Sequence, residues 1–350
     1  MLKNSRPAVL AFVYALLASV LVISLVLAIY IGAVDIDAPL VFKIIMNKIS
    51  GTDIFENVWT SAQESIVWNL RLPKVMVAGL AGAGLALSGM MMQALTKNPL
   101  AEPYILGISS GASTGAVVSI MMGSLPFLGG VSLRGGAFLG AMLSSAFVFA
   151  VAGNGRGNQT TRLVLTGMGV SYLFSSATNL IIFLTPESKK VNSALFWMTG
   201  SFGGIVWGDV LVAAVAVGIG LICAMVMVQS MDALLLGEAG ARTRGVDTAK
   251  IKVVLILAST LMTAVIVSMS GIIGFVGLVI PHIGRSLVGA SHRRLIPVSV
   301  FLGAIFMIWC DVIARVCVAP EELPVGVITA IVGAPVFLIM LKRSRYAFGK

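Results

Sequence analysis

Few side chains in this 350-residue sequence have types and spacing suited to chemistry. The two histidines, His282 and His292, stand ten positions apart with no cysteine beside them, which matches no metal-ligand pattern. Cys223, Cys310 and Cys317 all fall in apolar runs and read as small hydrophobes. No segment has the Gly-x4-Gly-Lys-Ser/Thr spacing of a phosphate loop; the only Gly-Lys pair is Gly349–Lys350, so nothing here cradles ATP. The glycines at 79, 82, 84 and 89 follow no predicted strand, which removes a dinucleotide reading, and no serine stands out as a nucleophile for His282. That leaves Asp311 and Arg315, one helical turn apart in an apolar run. Charges at such depth cost about 2.5–3.5 kcal/mol each, so they need a reason to be there. Mutual neutralisation at (i, i+4) is one reason and proton coupling another. No enzyme is expected, and neither a cofactor nor a metal is expected on this chain.

The elements that hold these residues are membrane helices. The sequence is 58% hydrophobic and 11% charged, against about 25% charged in ordinary soluble domains, and its mean hydropathy is +1.02. The apolar run from Pro7 to Val34 follows Lys3 and Arg6. It is too long for the ~7–15 residues of a signal-peptide core, so it reads as a retained first span. Cutting at polar interruptions predicts one all-α domain over 1–350 with ten spans: 8–33, 71–95, 104–123, 135–153, 162–184, 206–228, 251–268, 272–289, 295–318 and 324–341. With the N-terminus inside, Lys and Arg divide sixteen inside to eight outside, which predicts both termini in the cytoplasm of a multi-pass inner-membrane protein. The net charge of +10 is then a topology and lipid-headgroup signal and not a nucleic-acid footprint.

Two stretches break the apolar pattern. Residues 93–113, "QALTKNPLAEPYILGISSGAS", carry two prolines, Glu102 and glycines at 107 and 111 that continue to Gly115 at every fourth position. Such spacing lets helices approach closely, and irregular backbone at membrane depth survives only inside protein or along a cavity. The stretch therefore belongs within the bundle. In the fifth span Thr160, Gly167, Ser171, Ser175 and Thr178 share an arc of about 80°. A small, weakly polar stripe of that kind suits either a conduit or helix packing.

Five ordered blocks carry a resemblance: "SGMMMQALTKNPLAEPYILGISSGAS", "LFWMTGSFGG", "LGEAGARTRGV", "GIIGFVGLVIPHIGR" and "ELPVGVITAIVGAPVFLIML". From about Arg71 to Leu341 the chain closely resembles permease subunits of bacterial type II ABC importers for iron-siderophore, haem and cobalamin, with the cobalamin-importer permease architecture. The resemblance implies a homodimer or a pair of similar permeases, two cytoplasmic ATPase subunits that carry ATP and Mg, and an extracytoplasmic binding protein. Ion-coupled secondary transport is the alternative class. The resemblance also assigns residues. Segment 231–252, centred on Gly237, Glu238, Ala239, Arg242 and Gly245, would couple to the ATPases. Thr160 and Thr161 would gate a pathway lined by Gly167, Ser171, Ser175 and Thr178. Arg71, Lys74 and Arg315, basic groups at outer span ends, would dock the binding protein. Iron-siderophore is the first expected cargo, then haem, then cobalamin.

Overall fold

The computed structural model describes residues 7–122, 132–152 and 159–343, and among them every regular element is helical. Ten helices occupy the ten expected crossings: α1 (Pro7–Tyr30), α4 (Leu72–Thr96), α5 (Ile108–Met122), α6 (Leu133–Ala152), α7 (Gln159–Phe183), α9 (Trp207–Val226), α12 (Thr248–Ser270), α13 (Val276–Val288), α14 (His292–Val316) and α15 (Val325–Arg343). Eight of the crossings are long and apolar enough to traverse a bilayer, while α5 and α13 are shorter. The remaining helices are α2 (Ala38–Ser50), α3 (Ser61–Ser65), α8 (Ser188–Met198), α10 (Val228–Leu234) and α11 (Glu238–Arg242). The ends of α1 and α14 and the start of α15 meet through Arg315 and the Leu323–Ala314 main-chain bond. So α1 starts and α15 ends at the other end of the bundle, here termed the terminal face.

Helix α4 is the axis of the fold. It is apolar or small on every side, "LPKVMVAGLAGAGLALSGMMMQALT", and is buried along nearly its whole length, as expected for a helix without a polar face. Its small residues admit neighbours to backbone contact. A Cβ on Gly82 would lie 2.0 Å from the carbonyl oxygen of Gly303 in α14, and one on Gly89 would lie 1.9 Å from that of Gly277 in α13. The same device joins α5 to α6, where Cβ atoms on Gly111 and Gly115 would fall 2.3 and 2.0 Å from the oxygens of Gly140 and Gly136. The four-residue glycine spacing is therefore a packing seam.

Irregular backbone gathers inside the bundle. After α7, helix α8 folds back so that Ser201 N–H donates to the Ser270 carbonyl (2.7 Å), and Gly200 lies against Ile272. The expected span 272–289 is unwound over its first residues, and α13 begins only at Val276, after Phe275 in a left-handed conformation (φ 69°). The expected span 104–123 likewise starts as a 3-10 turn, Pro103–Leu106, and becomes α-helical after Gly107 (φ 73°). Before α4, the turn Ile66–Arg71 widens to a π-turn. Pro73 follows it and has no N–H to offer the Asn69 carbonyl.

Candidate functional site

Four places in this frame bring polar chemistry together. The first answers why residues 93–113 are polar. Pro281 lacks the N–H that would close the helical bond to the Gly277 carbonyl, and the amide of Gln93 supplies a donor instead, at 3.1 Å from Gly277 O and 3.3 Å from Leu278 O. The Tyr104 hydroxyl donates to the Ile273 carbonyl (2.7 Å) and accepts from the Ile273 N–H (3.3 Å). Glu102 Oε1 accepts the N–H of Phe275 (3.2 Å). One polar loop thus satisfies the orphan backbone groups of an interrupted crossing more than 160 residues away, as a buried break requires. The break also sets the neighbouring helix: a Cβ on Gly333 of α15 would meet Phe275 Cβ at 2.4 Å.

The second place lies at the end of the bundle opposite the terminal face, where the expected docking residues are found. All three are inside the fold: Arg71, Lys74 and Arg315 are 5, 9 and 4% exposed. Arg71 donates to the carbonyls of Ile29 (3.1 Å), Tyr30 (2.9 Å) and Val34, and Arg315 to those of Ile31 and Ala28 (both 3.0 Å). Two guanidiniums therefore cap the C-terminus of α1, where unpaired carbonyls and the negative end of the helix dipole attract cations. The Nε of Arg315 also stands 3.0 Å from Asp311 Oδ2 as an ion-pair contact. Lys74 bridges Asp311 (3.7 Å) to Glu322 (2.6 Å). The contacts of these three cations are within the chain itself, with the carbonyls that end α1 and the carboxylates of Asp311 and Glu322. The pairing of Asp311 with Arg315 expected at (i, i+4) is present.

The third place is helix α7. Gly167 packs so closely on the Pro103–Leu106 turn that a Cβ would stand 1.8 Å from the Ile105 oxygen. Thr178 is buried, with its hydroxyl 2.8 Å from that of Thr114 on α5. Ser171 is half-buried beside Gly107. Gly167 and Thr178 are thus engaged in helix packing and Ser171 is half-buried, while Ser175, and the gate residue Thr161, are exposed. The side chain of Thr160 lies outside the described residues. The open face of α7 is mixed, carrying Leu165, Met168, Tyr172 and Phe183 beside Ser175, Ser176 and Asn179, and α7 is the least apolar of the eight long crossings. At the end away from the terminal face, a cavity of about 760 Å³ opens between α6, α8 and α12, lined by Arg134, Asn192, Phe196, Trp197, Ser201 and Ser268 among others. Arg134 is held there by Asp209 (2.7 Å) and the Gly204 carbonyl (2.6 Å).

The fourth place is the connection between α9 and α12 on the terminal face. Gly237 (φ 95°) and Gly245 (φ 75°) turn the chain on either side of α11, conformations that favour glycine. Leu235, Leu236, Ala239, Arg242 and Arg244 are exposed around them, while Met231, Leu234 and Ala241 anchor the segment in the core. The side chain of Glu238 lies outside the described residues. Asp232 of α10 reaches the start of α14 and accepts from the His292 main-chain N–H (2.9 Å); its Oδ1 also lies 2.6 Å from His292 Nδ1. Burial pushes the Asp232 carboxyl up, but the His292 hydrogen bonds and charge, with the Ser291 hydroxyl, outweigh it and hold the group below its ordinary range. Sequence reasoning missed this contact, and it missed Gln93, Glu102, Tyr104 and Glu322. Only the polarity of 93–113 gave a signal for any of them.

Among the described residues no His, Cys, Asp and Glu side chains gather into a metal-binding group. Comparison with known proteins agrees with the architecture. The family model described as the FecCD transport family matches residues 20–343. An uncharacterised ABC transporter permease protein of Bacillus subtilis, YvrB, is 36% identical over 98% of this chain and 96% of its own length. The hemin transport system permease protein HmuU of Yersinia pestis is 35% identical over 83% of this chain and 88% of its own. Other relatives are named for import of cobalamin, iron(3+)-citrate and iron(3+)-hydroxamate. A solved structure described as an inward-facing conformation of a metal-chelate type ABC transporter superposes with a TM-score of 0.80 at 30% identity, covering 95% of this chain and all of that one. With ten helical crossings and a family match over nearly its whole length, the chain belongs to the FecCD transport family of ABC transporter permeases.

Proposed function

We propose that this chain is the membrane-crossing subunit of an ATP-driven importer for a bulky metal chelate, with iron-siderophore first among cargoes, then haem and cobalamin. The terminal face is cytoplasmic in this reading. A second copy completes the pathway, ATP and Mg sit on two partner ATPase subunits, and a binding protein delivers cargo to the opposite end. The observation that carries the reading is the glycine-punctuated projection between α9 and α12. Its exposed Leu235, Leu236, Ala239 and Arg242 form a mixed apolar and basic ledge on a buried base, a shape suited to passing on a partner's rigid-body motion.

The open face of α7, which mixes polar residues with exposed Leu165, Tyr172 and Phe183, supports the paired-permease part of the proposal. Its Ser175, Ser176 and Asn179 suit a second copy or an aqueous path better than lipid tails. At the opposite end, Arg71, Lys74 and Arg315 serve docking as a framework beneath the surface, shaping it through α1 and Glu322. The experiment is reconstitution with the ATPase and binding protein in liposomes, followed by uptake of a ferric siderophore, haem and cobalamin in parallel. ATP-dependent uptake of one of these supports the proposal. Uptake of none of them, by a complex that hydrolyses ATP and binds its binding protein, overturns the cargo class.

A further inference from the structure

Helix α14 begins with an unusual cap. Ser291 is in the N-cap position, yet its own side chain makes no capping bond. The acceptor comes instead from Asp232 of α10, sixty residues earlier: one carboxylate oxygen takes the main-chain N–H of His292 at 2.9 Å and approaches its ring Nδ1 at 2.6 Å, and the other lies 3.4 Å from the Ser291 hydroxyl. His292 is only 1% exposed, while Ser291 and the Asp232 carboxylate are reached by solvent.

From this joint α14 runs 25 residues, about 37 Å, to the opposite end of the bundle. It is locked to α4 on the way by the Gly82–Gly303 contact, with a prospective Cβ 2.0 Å from backbone. Near its far end Asp311 and Arg315 engage Lys74 and the last carbonyls of α1. Pro297 leaves the Arg293 carbonyl without its helical donor near the start of α14, and beyond it the dense packing on α4 lets displacement pass along the helix.

We infer that the Asp232 clasp on the N-terminus of α14 is the joint that ties the ATPase-coupling projection to the far face, so that binding-protein docking and ATPase activity communicate through α14. This rests on the function proposed above. Asp232 is a positioning residue, since its carboxylate acts through the His292 and Ser291 groups at the start of α14. Coupling between binding free energies is reciprocal, so loss of the joint weakens the effect of nucleotide binding on binding-protein affinity and the reverse effect alike.

The test uses the reconstituted permease–ATPase complex in nanodiscs, with ATPase turnover measured with and without loaded binding protein. For the wild type, loaded binding protein stimulates turnover; a wild-type complex without ATP hydrolysis would count against the proposed function and not against this joint. In D232A the stimulation ratio falls at least fivefold, the lower end of the ~5–150-fold range of typical couplings. D232N keeps a carbonyl oxygen for the His292 N–H, and it restores at least half of the lost ratio. An unchanged ratio in D232A overturns the inference. So does failure of D232A to assemble with the ATPase, which would make Asp232 a folding residue, and so does a D232N complex no better than D232A.

Discussion

Arg315→Met separates an internal role from a docking role by magnitude. The methionine keeps much of the apolar stem and removes a guanidinium that is 4% exposed. It leaves Asp311, 2% exposed, with Lys74 at 3.7 Å as its remaining cation, and it strips a donor from the carbonyls of Ala28 and Ile31. Removing one partner of a buried pair costs about 3–5 kcal/mol. The surviving Lys74 contact moves the expectation to about 3 kcal/mol, the lower end of that range. Arg315→Met combined with Asp311→Asn removes the stranded charge as well, and should recover about half the loss, leaving the unpaired carbonyls at ~1–3 kcal/mol. A solvent-exposed docking arginine would contribute only about 0.2–1 kcal/mol through its pair. The assay is SDS-driven unfolding of the purified permease in mixed micelles, followed by tryptophan fluorescence, for wild type, both single variants and the double. A single variant within about 1 kcal/mol of wild type, or a double variant that loses the sum of the singles, would refute the buried-pair reasoning.

Other substitutions probe the remaining contacts. Gly82→Ala forces a Cβ to 2.0 Å from the Gly303 oxygen, so α4 and α14 must separate; a loss of about 1–3 kcal/mol or more in the same unfolding assay is expected. Tyr104→Phe orphans the Ile273 N–H and C=O and should cost about 1–3 kcal/mol, with faster amide exchange confined to residues 271–276 as its local signature. Asp232 contributes a pH dependence whose sign follows from its lowered pKa. Its stabilisation is complete above the ordinary value of 3.8 and is lost as pH falls through the lower folded value. The stability gap between wild type and D232N should therefore narrow as pH is brought from neutral to acid; a gap that widens contradicts the sign.

The crossings were legible because bilayer thickness imposes a length and a composition on each of them. Even α13, whose helix is short, announced itself as an apolar run from 272, although the first residues of that run are unwound. The Gly111–Gly115 seam was legible as spacing, while its partners Gly136 and Gly140 become visible only in the fold. Short amphipathic helices such as α2 and α8 fell below the length that a span search registers. The tasks of Gln93, Glu102 and Tyr104 were illegible for a different reason. Each serves a backbone group more than 160 residues distant, and nothing local marks which carbonyl lacks its donor. Arg71 and Arg315 stand out in the sequence as basic groups at outer span ends. Their partners are main-chain carbonyls of α1, which sequence pairing rules for opposite charges do not consider.

The central claim, a permease worked by separate ATPases, is tested most directly by the energy source for uptake. Liposomes carrying the full complex, with loaded binding protein on the receiving side, are supplied either with ATP on the ATPase side or with an imposed proton or sodium gradient. The account predicts chelate accumulation with ATP alone, abolished when a non-hydrolysable nucleotide replaces it, and no ATP hydrolysis by this chain purified by itself. Gradient-driven accumulation without ATP would contradict it and would return Asp311 to the role of a coupling carboxylate.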